Sequence, residues 1–245
     1  NGTFKLDHNG KIEMTGTKAF GIYADNNAPG GTPSVSNRIV NLNSGSVIDL
    51  SGTTEKGTGV YANKATVNTA GNIKVSSNGI GIYAKDSILN ITDGVMELAG
   101  TGSTGIVLDG ASALNATAGT INIKGNDNTV FAIGGTSTTA GIENIQLNID
   151  PGLKFTLANV KNNNFSYNGI INEPGKDSVL IYGENAEIGF GTNAKITSTA
   201  ENVAGLVAVG QKAVNKGELS LTGEQSTGIY TDGATAENEN KIILG

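Results

Sequence analysis

The sequence contains no cysteine and no tryptophan, and it has only four prolines and a single arginine, Arg38, among 245 residues. Without cysteine the chain has neither disulfides nor thiolate metal sites. The lysines are scattered and the formal net charge is −6. Since nucleic acid is held by clustered cations, we expect no nucleic-acid partner. No apolar run reaches the roughly 18 residues that a membrane-spanning helix needs, so we expect no span in this segment.

Glycine is abundant, with 36 residues, and it is accompanied by many serines, threonines and asparagines. Charged residues make up only 16% of the chain, whereas disordered chains combine low hydrophobicity with high charge. Small polar and β-branched residues punctuated by glycine are typical of many short strands joined by tight turns. The composition therefore predicts an all-β protein.

A first internal repeat alternates apolar with polar residues, which predicts a strand with one buried face. Single apolar residues, Ile145, Ile171 and Ile196, continue its spacing through the middle of the chain. The clear copies are Ile12-Glu13-Met14, Ile48-Asp49-Leu50, Ile73-Lys74-Val75, Met96-Glu97-Leu98, Ile121-Asn122-Ile123 and Leu219-Ser220-Leu221.

A second repeat, about ten residues further on, consists of glycine, an apolar residue, and tyrosine or valine. Its copies are Gly21-Ile22-Tyr23, Gly59-Val60-Tyr61, Gly81-Ile82-Tyr83, Gly105-Ile106-Val107, Gly205-Leu206-Val207 and Gly228-Ile229-Tyr230. A weaker third strand, which precedes the first repeat, pairs an apolar residue with asparagine. It occurs as Val40-Asn41, Val67-Asn68, Leu89-Asn90, Leu114-Asn115 and Val214-Asn215.

The repeats recur about every 23–25 residues, apart from one step of 36 residues that contains an extra segment at 26–37. Three short strands in a period of this length match one turn of a right-handed parallel β-helix, in which each coil stacks on its neighbours. We therefore predict a single all-β domain over residues 1–245 with roughly nine or ten three-strand coils. Insertions are expected at 26–37 and at about 151–177, where the repeat blurs.

The motifs Gly-Ile-Tyr-Ala at 21–24 and 81–84, Gly-Val-Tyr-Ala at 59–62 and Ser-Thr-Gly-Ile-Tyr at 226–230 resemble passenger repeats of large type V autotransporter adhesins. The similarity is greatest to fusobacterial-type outer-membrane autotransporters, and it covers nearly the whole chain. It implies a secreted segment on the cell surface, tethered through a C-terminal translocator barrel in the outer membrane. It also implies adhesion to a protein or glycan of host cells or partner bacteria. No receptor-binding residue is carried over, because no binding motif is matched.

Two other classes of protein also use β-helices. A polysaccharide-active enzyme gathers several carboxylates in one cleft, but here Glu13, Asp49, Glu97 and Asp109 are spread along the repeats and His8 is the only histidine. We expect no catalytic residue, no cofactor and no metal, with such an enzyme as the alternative. A phage tail-fibre β-helix is a second alternative; it would form trimers, whereas a passenger segment is expected to be a monomer.

The tyrosines of the second repeat are candidate partner contacts. Where the preceding apolar residue points inward, strand alternation sends the tyrosine outward. Exposed aromatic rings suit stacking on sugars or on a protein partner, although they would also cover neighbouring side chains and stiffen the stack. The residues are Tyr23, Tyr61 and Tyr83.

The two expected insertions supply the remaining candidate contacts, because loops on a rigid scaffold often carry function. The first contains Pro29 and Pro33, and the second contains Asn163 and Tyr167. A tolerated insertion without function explains either segment equally well.

Overall fold

A computed structural model describes residues 3–26 and 35–245 of the chain. Strand makes up 61% of the protein and helix 3%, and the paired strands are all parallel. They stack as a β-solenoid of about eight turns, close to the nine or ten coils predicted. The predicted fold class is therefore confirmed.

The strands are three to nine residues long, because the chain turns a corner after each of them. In chain order they are β1 (Phe4–His8), β2 (Lys11–Thr17), β3 (Phe20–Asp25), β4 (Arg38–Leu42), β5 (Val47–Glu55), β6 (Thr58–Asn63), β7 (Thr66–Thr69), β8 (Asn72–Val75), β9 (Ile80–Lys85), β10 (Ile88–Ile91), β11 (Val95–Leu98), β12 (Thr104–Asp109), β13 (Ala113–Ala116), β14 (Thr120–Ile123), β15 (Asn128–Gly134), β16 (Thr138–Ala140) and β17 (Gln146–Ile149). They continue as β18 (Phe155–Lys161), β19 (Asn164–Tyr167), β20 (Ile170–Asn172), β21 (Val179–Glu184), β22 (Glu187–Phe190), β23 (Lys195–Ser198), β24 (Ala204–Val209), β25 (Lys212–Asn215), β26 (Glu218–Leu221), β27 (Thr227–Asp232), β28 (Thr235–Asn238) and β29 (Ile242–Leu244). Short 3-10 helices occupy Val35–Asn37 and Ile142–Asn144.

Successive strands are distributed over three faces of the rod. The tyrosine face is one nine-stranded sheet that takes every third strand from β3 to β27. The asparagine face consists of the six-stranded sheet β1-β4-β7-β10-β13-β16 and the four-stranded sheet β19-β22-β25-β28. The third face is divided in the same way, into β2-β5-β8-β11-β14-β17 and β20-β23-β26-β29.

The strand register places equivalent residues of successive coils above one another, as the repeats predicted. On the tyrosine face Ile22, Val60, Ile82 and Ile106 form one inward column. On the third face the predicted column from residue 12 to residue 121 is also present, and its members pack into one hydrophobic core. The assignment of Ile145 to that column is wrong, because Leu147 pairs with Ile121.

The pair Val214-Asn215 is also out of step with the other apolar–asparagine pairs. In β25 the inward residues are Ala213 and Asn215, and Val214 takes the outward position beside Gly189 of the preceding coil. A shift of one residue reverses the face of every side chain in a strand. Asn215 is therefore buried, where its amide nitrogen donates hydrogen bonds to the carbonyl of Gly217 and to Asn238 Oδ1.

Two corners of the coils are built from residues with a left-handed backbone. Asparagine, aspartate and glycine adopt this conformation more readily than other residues, which explains why they punctuate the repeats. One column follows the strands of the tyrosine face: Lys64, Asp86, Gly110, Gly135, Asn162, Asn185, Gly210 and Gly233. The other column precedes these strands: Lys18, Lys56, Asn78, Gly102, Asp127, Asp177, Asn202 and Gln225.

The glycine of the second repeat is required by the close stacking of coils. A Cβ atom on Gly59 or on Gly81 would lie 2.6 Å from the carbonyl oxygen of the equivalent glycine in the next coil. For Gly21 the corresponding distance, to the carbonyl oxygen of Gly59, is 2.7 Å, and a Cβ on Gly105 would lie 2.7 Å from the carbonyl oxygen of Val130. These distances are shorter than van der Waals contact, so a side chain at this position would push adjacent coils apart.

An asparagine ladder follows the outer surface of the asparagine face. Each amide nitrogen donates to the side-chain oxygen of the preceding coil, at 3.0 Å from Asn115 to Asn90, 2.8 Å from Asn90 to Asn68 and 2.8 Å from Asn68 to Asn41. Asn41 in turn donates to Asp7 Oδ1 at 2.6 Å. The ladder holds the pKa of the Asp7 carboxyl below its ordinary value, because this hydrogen bond favours the ionised form.

Replacing Asn68 with alanine is expected to lower the free energy of unfolding by about 1–2 kcal/mol, because two ladder hydrogen bonds are lost. Chemical denaturation followed by circular dichroism measures the change. The matched control is Asn159→Ala, since Asn159 also points outward from its strand but its side chain makes no hydrogen bond within the described residues. Its change should stay within about 0.5 kcal/mol. Equal losses in the two variants would contradict a stabilising ladder.

The sheets of two faces are interrupted at the same junction between coils, which we call the split. Strands β16 and β19 belong to different sheets, and so do β17 and β20, while β15 and β18 remain paired on the tyrosine face. The segment 151–177 contains β18, β19 and β20, which pair with the following coil. The prediction that this segment is an insertion is therefore wrong, because it forms an ordinary coil.

Aromatic side chains fill the interior beside the split. The rings of Phe131 and Phe165, which belong to coils on opposite sides of it, lie with their centroids 6.3 Å apart. The other buried aromatic residues are Phe155, Tyr167 and Phe190. Inward positions here carry rings instead of isoleucine, valine or leucine, so the sequence repeat fades although the coil persists.

Candidate functional site

The predicted tyrosine ladder is present on the tyrosine face. The ring centroids of Tyr23 and Tyr61 are 4.8 Å apart and those of Tyr61 and Tyr83 are 5.3 Å apart, and each pair is inclined by only 6°. Phe20 packs its ring nearly perpendicular to those of Tyr23 and Tyr61. The tyrosines therefore stack face to face along the rod.

This geometry limits what the ladder offers to a partner. A sugar stacks on the flat face of an aromatic ring, but both faces of Tyr61 are covered by its neighbours. The hydroxyl of Tyr23 donates to Asp25 Oδ2 at 3.1 Å, and that of Tyr83 donates to Asp109 Oδ2 at 2.9 Å. The contacts favour the stiffening role, since aromatic pairs across strands stabilise a sheet.

The surroundings of the tyrosines raise the pKa of several hydroxyls. Partial burial and the hydrogen bond to Asp109 raise the pKa of Tyr83 to about 12. Burial also raises the pKa of Tyr167 to about 12, with a smaller contribution from Glu143. For Tyr23 the hydrogen bond to Asp25 raises the pKa. In each case ionisation would leave a phenolate poorly solvated or beside a carboxylate.

An alkaline titration followed by tyrosinate absorbance tests these shifts. In the folded protein Tyr83 and Tyr167 should ionise near pH 12, whereas in concentrated urea all six tyrosines should ionise near pH ~10. Because the folded pKa values are raised, the stability that they contribute is complete below pH about 10 and is lost as the pH rises towards 12. Identical titration curves for the folded and unfolded chains would contradict the burial of these hydroxyls.

The other predicted contacts have different outcomes. Pro29 and Pro33 lie outside the described residues. Tyr167 is only 2% exposed, because Phe165 and Tyr167 point inward while Asn164 and Ser166 point outward in β19. Its proposed role as a surface contact is therefore wrong.

Asn163 lies at the split and is partly buried. Its amide nitrogen donates to the carbonyl of Ser137 in the preceding coil at 2.8 Å, and its Oδ1 accepts a hydrogen bond from the backbone nitrogen of Asn164 at 2.6 Å. The side chain thus connects two coils whose strands do not pair on this face. It also borders the grooves that open there.

A groove of about 550 Å³ crosses the asparagine face at the split. Residues of β19, β22 and β25 line it, together with Thr138 and Thr139 of β16, so that it follows the rod axis over four coils. Gly189 also lines the groove, at an outward position where a Cβ would lie 2.6 Å from the carbonyl oxygen of Val214. Thr138, Thr139 and Ser166 contribute hydroxyl groups to its lining, whereas Ser137, which also lines it, is buried and its hydroxyl donates to the carbonyl of Gly110.

A second groove of about 430 Å³ lies on the adjoining corner. Asn163 and Asn164 line both grooves, so the two adjoin, and we call them together the amide groove. The other residues of the corner part are Gly135, Thr136, Asn162, Asn185 and Gln211. Amide and hydroxyl groups therefore predominate along its rim.

The charges beside the amide groove are few and partly paired. Lys216 Nζ lies 3.1 Å from Glu239 Oε1, and Lys212 Nζ lies 2.7 Å from Glu237 Oε2.

Within the described ranges, no three histidine, cysteine, aspartate or glutamate side chains are grouped so that they could hold a metal ion. None of the helices in these ranges has the length and apolar character to cross a membrane.

Of the residues around this groove, only Asn163 was predicted from the sequence as a contact, whereas Asn185, Gln211 and Thr138 were not. One signal was available. The apolar–asparagine pair is missing from the coil after Leu114-Asn115, where Thr139 is in register with Leu114. A hydroxyl residue in an otherwise apolar inward column indicates that the coil is open at this point.

Comparison with known proteins does not extend this description. No protein-family model, no curated protein and no solved structure matches the chain. The geometry of the coils and of the amide groove, together with the repeat motifs, is therefore the basis for a functional proposal.

Proposed function

We propose that the chain is an adhesive, rod-forming passenger segment of a bacterial surface autotransporter, without catalytic activity. In this proposal the rod is tethered to the outer membrane through a translocator and acts as a monomer. It binds a protein or glycan on host cells or partner bacteria, and it holds that binding surface away from the cell. The repeat motifs that resemble passenger coils support the assignment to this class.

The observation that carries the proposal is the stacking of coils into a rod, reinforced before the split by side-chain ladders that link successive coils. The asparagine ladder and the tyrosine stack link successive coils, and ion pairs such as Lys74–Glu97 and Lys124–Glu97 add further connections. With a rise of about 4.8 Å per coil, the described turns extend over roughly 40 Å. A stiff rod of this kind is suited to presenting a surface at a distance from its anchor.

Adhesion is tested with beads coated with the purified 245-residue chain. We expect them to attach to epithelial cells or to other bacteria more strongly than beads coated with the heat-unfolded chain. Attachment to none of the cells tested would overturn the adhesive role. Release of new reducing ends from polysaccharides would instead favour the enzyme, and a trimeric mass in light scattering would favour the tail-fibre alternative.

A further inference from the structure

We propose that the amide groove is a binding site for a neutral oligosaccharide. This inference rests on the proposed adhesive function and specifies where on the rod the contact is made and which chemical class of partner it takes. Four properties of the groove support it: its hydrogen-bonding groups, its charge, its dimensions and its direction.

The hydrogen-bonding groups on the rim match those of a sugar. A side-chain amide offers both donors and an acceptor, and a sugar hydroxyl also donates and accepts. The amides of Asn162, Asn185 and Gln211 are exposed and make no hydrogen bond within the part of the chain that the structure describes. They can therefore bind a sugar without breaking a contact of the fold, in contrast to Asn68, whose amide belongs to the ladder.

The charge of the groove favours a neutral oligosaccharide over a sialylated or sulfated one. Lys216, the cation that lines it, is already paired with Glu239. Glu187 contributes a carboxylate to the same rim. An acidic sugar would therefore meet a carboxylate and no unpaired lysine among the described lining residues, whereas a neutral sugar has no such penalty.

The dimensions suit a short chain of sugars. The two parts measure about 550 and 430 Å³, each within the range of roughly 300–1,000 Å³ that is typical of small-molecule sites. Four coils span three steps of the stack, or about 14 Å along the rod. The ligand expected here is thus an oligosaccharide rather than a single monosaccharide.

The direction of the groove argues against an extended peptide. A peptide that added a strand at the unpaired edges of β16 and β19 would run parallel to those strands, across the rod. The groove instead follows the rod axis and passes over β22 and β25, which are already paired with each other. A chain that lies along the axis and contacts side chains fits this shape better.

The test uses a variant that removes the free amides and leaves the backbone unstrained. Asn162 and Asn185 have φ values of 51° and 50°, and glycine already occupies equivalent corner positions at Gly135 and Gly210. The groove variant therefore combines Asn162→Gly, Asn185→Gly and Gln211→Ala.

The matched control combines Asn78→Gly with Gln225→Gly. Both residues are exposed and have left-handed backbones with φ of 56° and 60°, but they belong to the other corner column. Thermal unfolding of the two variants first establishes that each retains the stability of the original chain.

Binding is measured on an array of neutral oligosaccharides of hexoses and N-acetylhexosamines, with their sialylated and sulfated counterparts. We expect the original chain and the control to bind neutral members of the array, and the groove variant to lose at least about tenfold in affinity, because up to three hydrogen-bonding groups are removed. Hydrogen exchange should show protection by the bound sugar at 135–139 and 162–166. Preference for acidic sugars, or equal binding by the groove variant, would overturn the inference.

The failure of this inference can be distinguished from the failure of the proposed function. If coated beads attach to cells but the groove variant attaches equally well, adhesion stands and the amide groove is not its site. If protease treatment of the cells abolishes attachment and removal of their glycans does not, the partner is a protein and the glycan proposal is wrong. If the original chain binds neither cells nor sugars, both proposals fail.

Discussion

Replacing Phe165 with alanine is expected to lower the free energy of unfolding by about 3–5 kcal/mol, the largest effect of any substitution considered. Phe165 is 4% exposed and faces Phe131 across the split. On the asparagine and third faces the neighbouring sheets are not joined there, so interior packing has a larger share in holding the two stacks of coils together. Chemical denaturation measures the loss, and hydrogen exchange should increase most at 135–149 and 162–172.

The control for this variant is Phe4→Ala. Phe4 is 50% exposed, and its ring contacts the guanidinium of Arg38 at 5.4 Å from the ring centroid. Loss of this contact should cost no more than about 1 kcal/mol. A Phe165 variant that loses as little as the Phe4 variant would show that the aromatic interior does not hold the split together.

Replacing Gly81 with alanine is expected to destabilise the rod by about 1–3 kcal/mol. The new Cβ would lie 2.6 Å from the carbonyl oxygen of Gly105 and 2.7 Å from Met96 Sδ. The methionine side chain can move aside, but the carbonyl belongs to the next strand of the sheet and moves only with its coil. The resulting strain outweighs the stabilisation of about 0.4–1 kcal/mol that alanine usually gives relative to glycine, because it lowers the conformational entropy of the unfolded chain.

The same substitution at Gly10 is expected to have the opposite effect on the free energy of unfolding. No heavy atom lies within 4 Å of a Cβ built on Gly10, and its φ is outside the left-handed region. Gly10→Ala should therefore leave stability unchanged or raise it by up to about 1 kcal/mol. The difference in unfolding midpoint between the two variants measures the steric cost directly. Stabilisation by both substitutions would contradict the close stacking of coils at Gly81.

The architecture was predictable because each coil repeats the same local pattern. Alternation at Ile48-Asp49-Leu50 marked a half-buried strand, and the constant spacing to Ile73 required parallel stacking. The glycine before Ile82 was recognised as part of a motif, but the reason for it, the approach of the next carbonyl, appears only in three dimensions.

The candidate site was less predictable, because it arises where the repeat weakens. Rings at Phe165 and Tyr167 replaced the usual aliphatic residues, so a coil was interpreted as an insertion and Tyr167 as exposed. The amides of Asn185 and Gln211 lie on coils that follow the split, and only the stacking brings them beside Asn163. Because these residues are far apart in the sequence, the groove could not be predicted from the sequence.

The continuous tyrosine face has a mechanical consequence for a rod anchored at one end. Hydrogen bonds between coils run along the rod axis, so tension applied to the ends stretches successive junctions in series. At most junctions three sheets share the tension, whereas between β15 and β18 only the tyrosine face is joined by strand pairing. Under force the rod should bend open at this junction before any coil unravels, with the tyrosine face acting as the hinge.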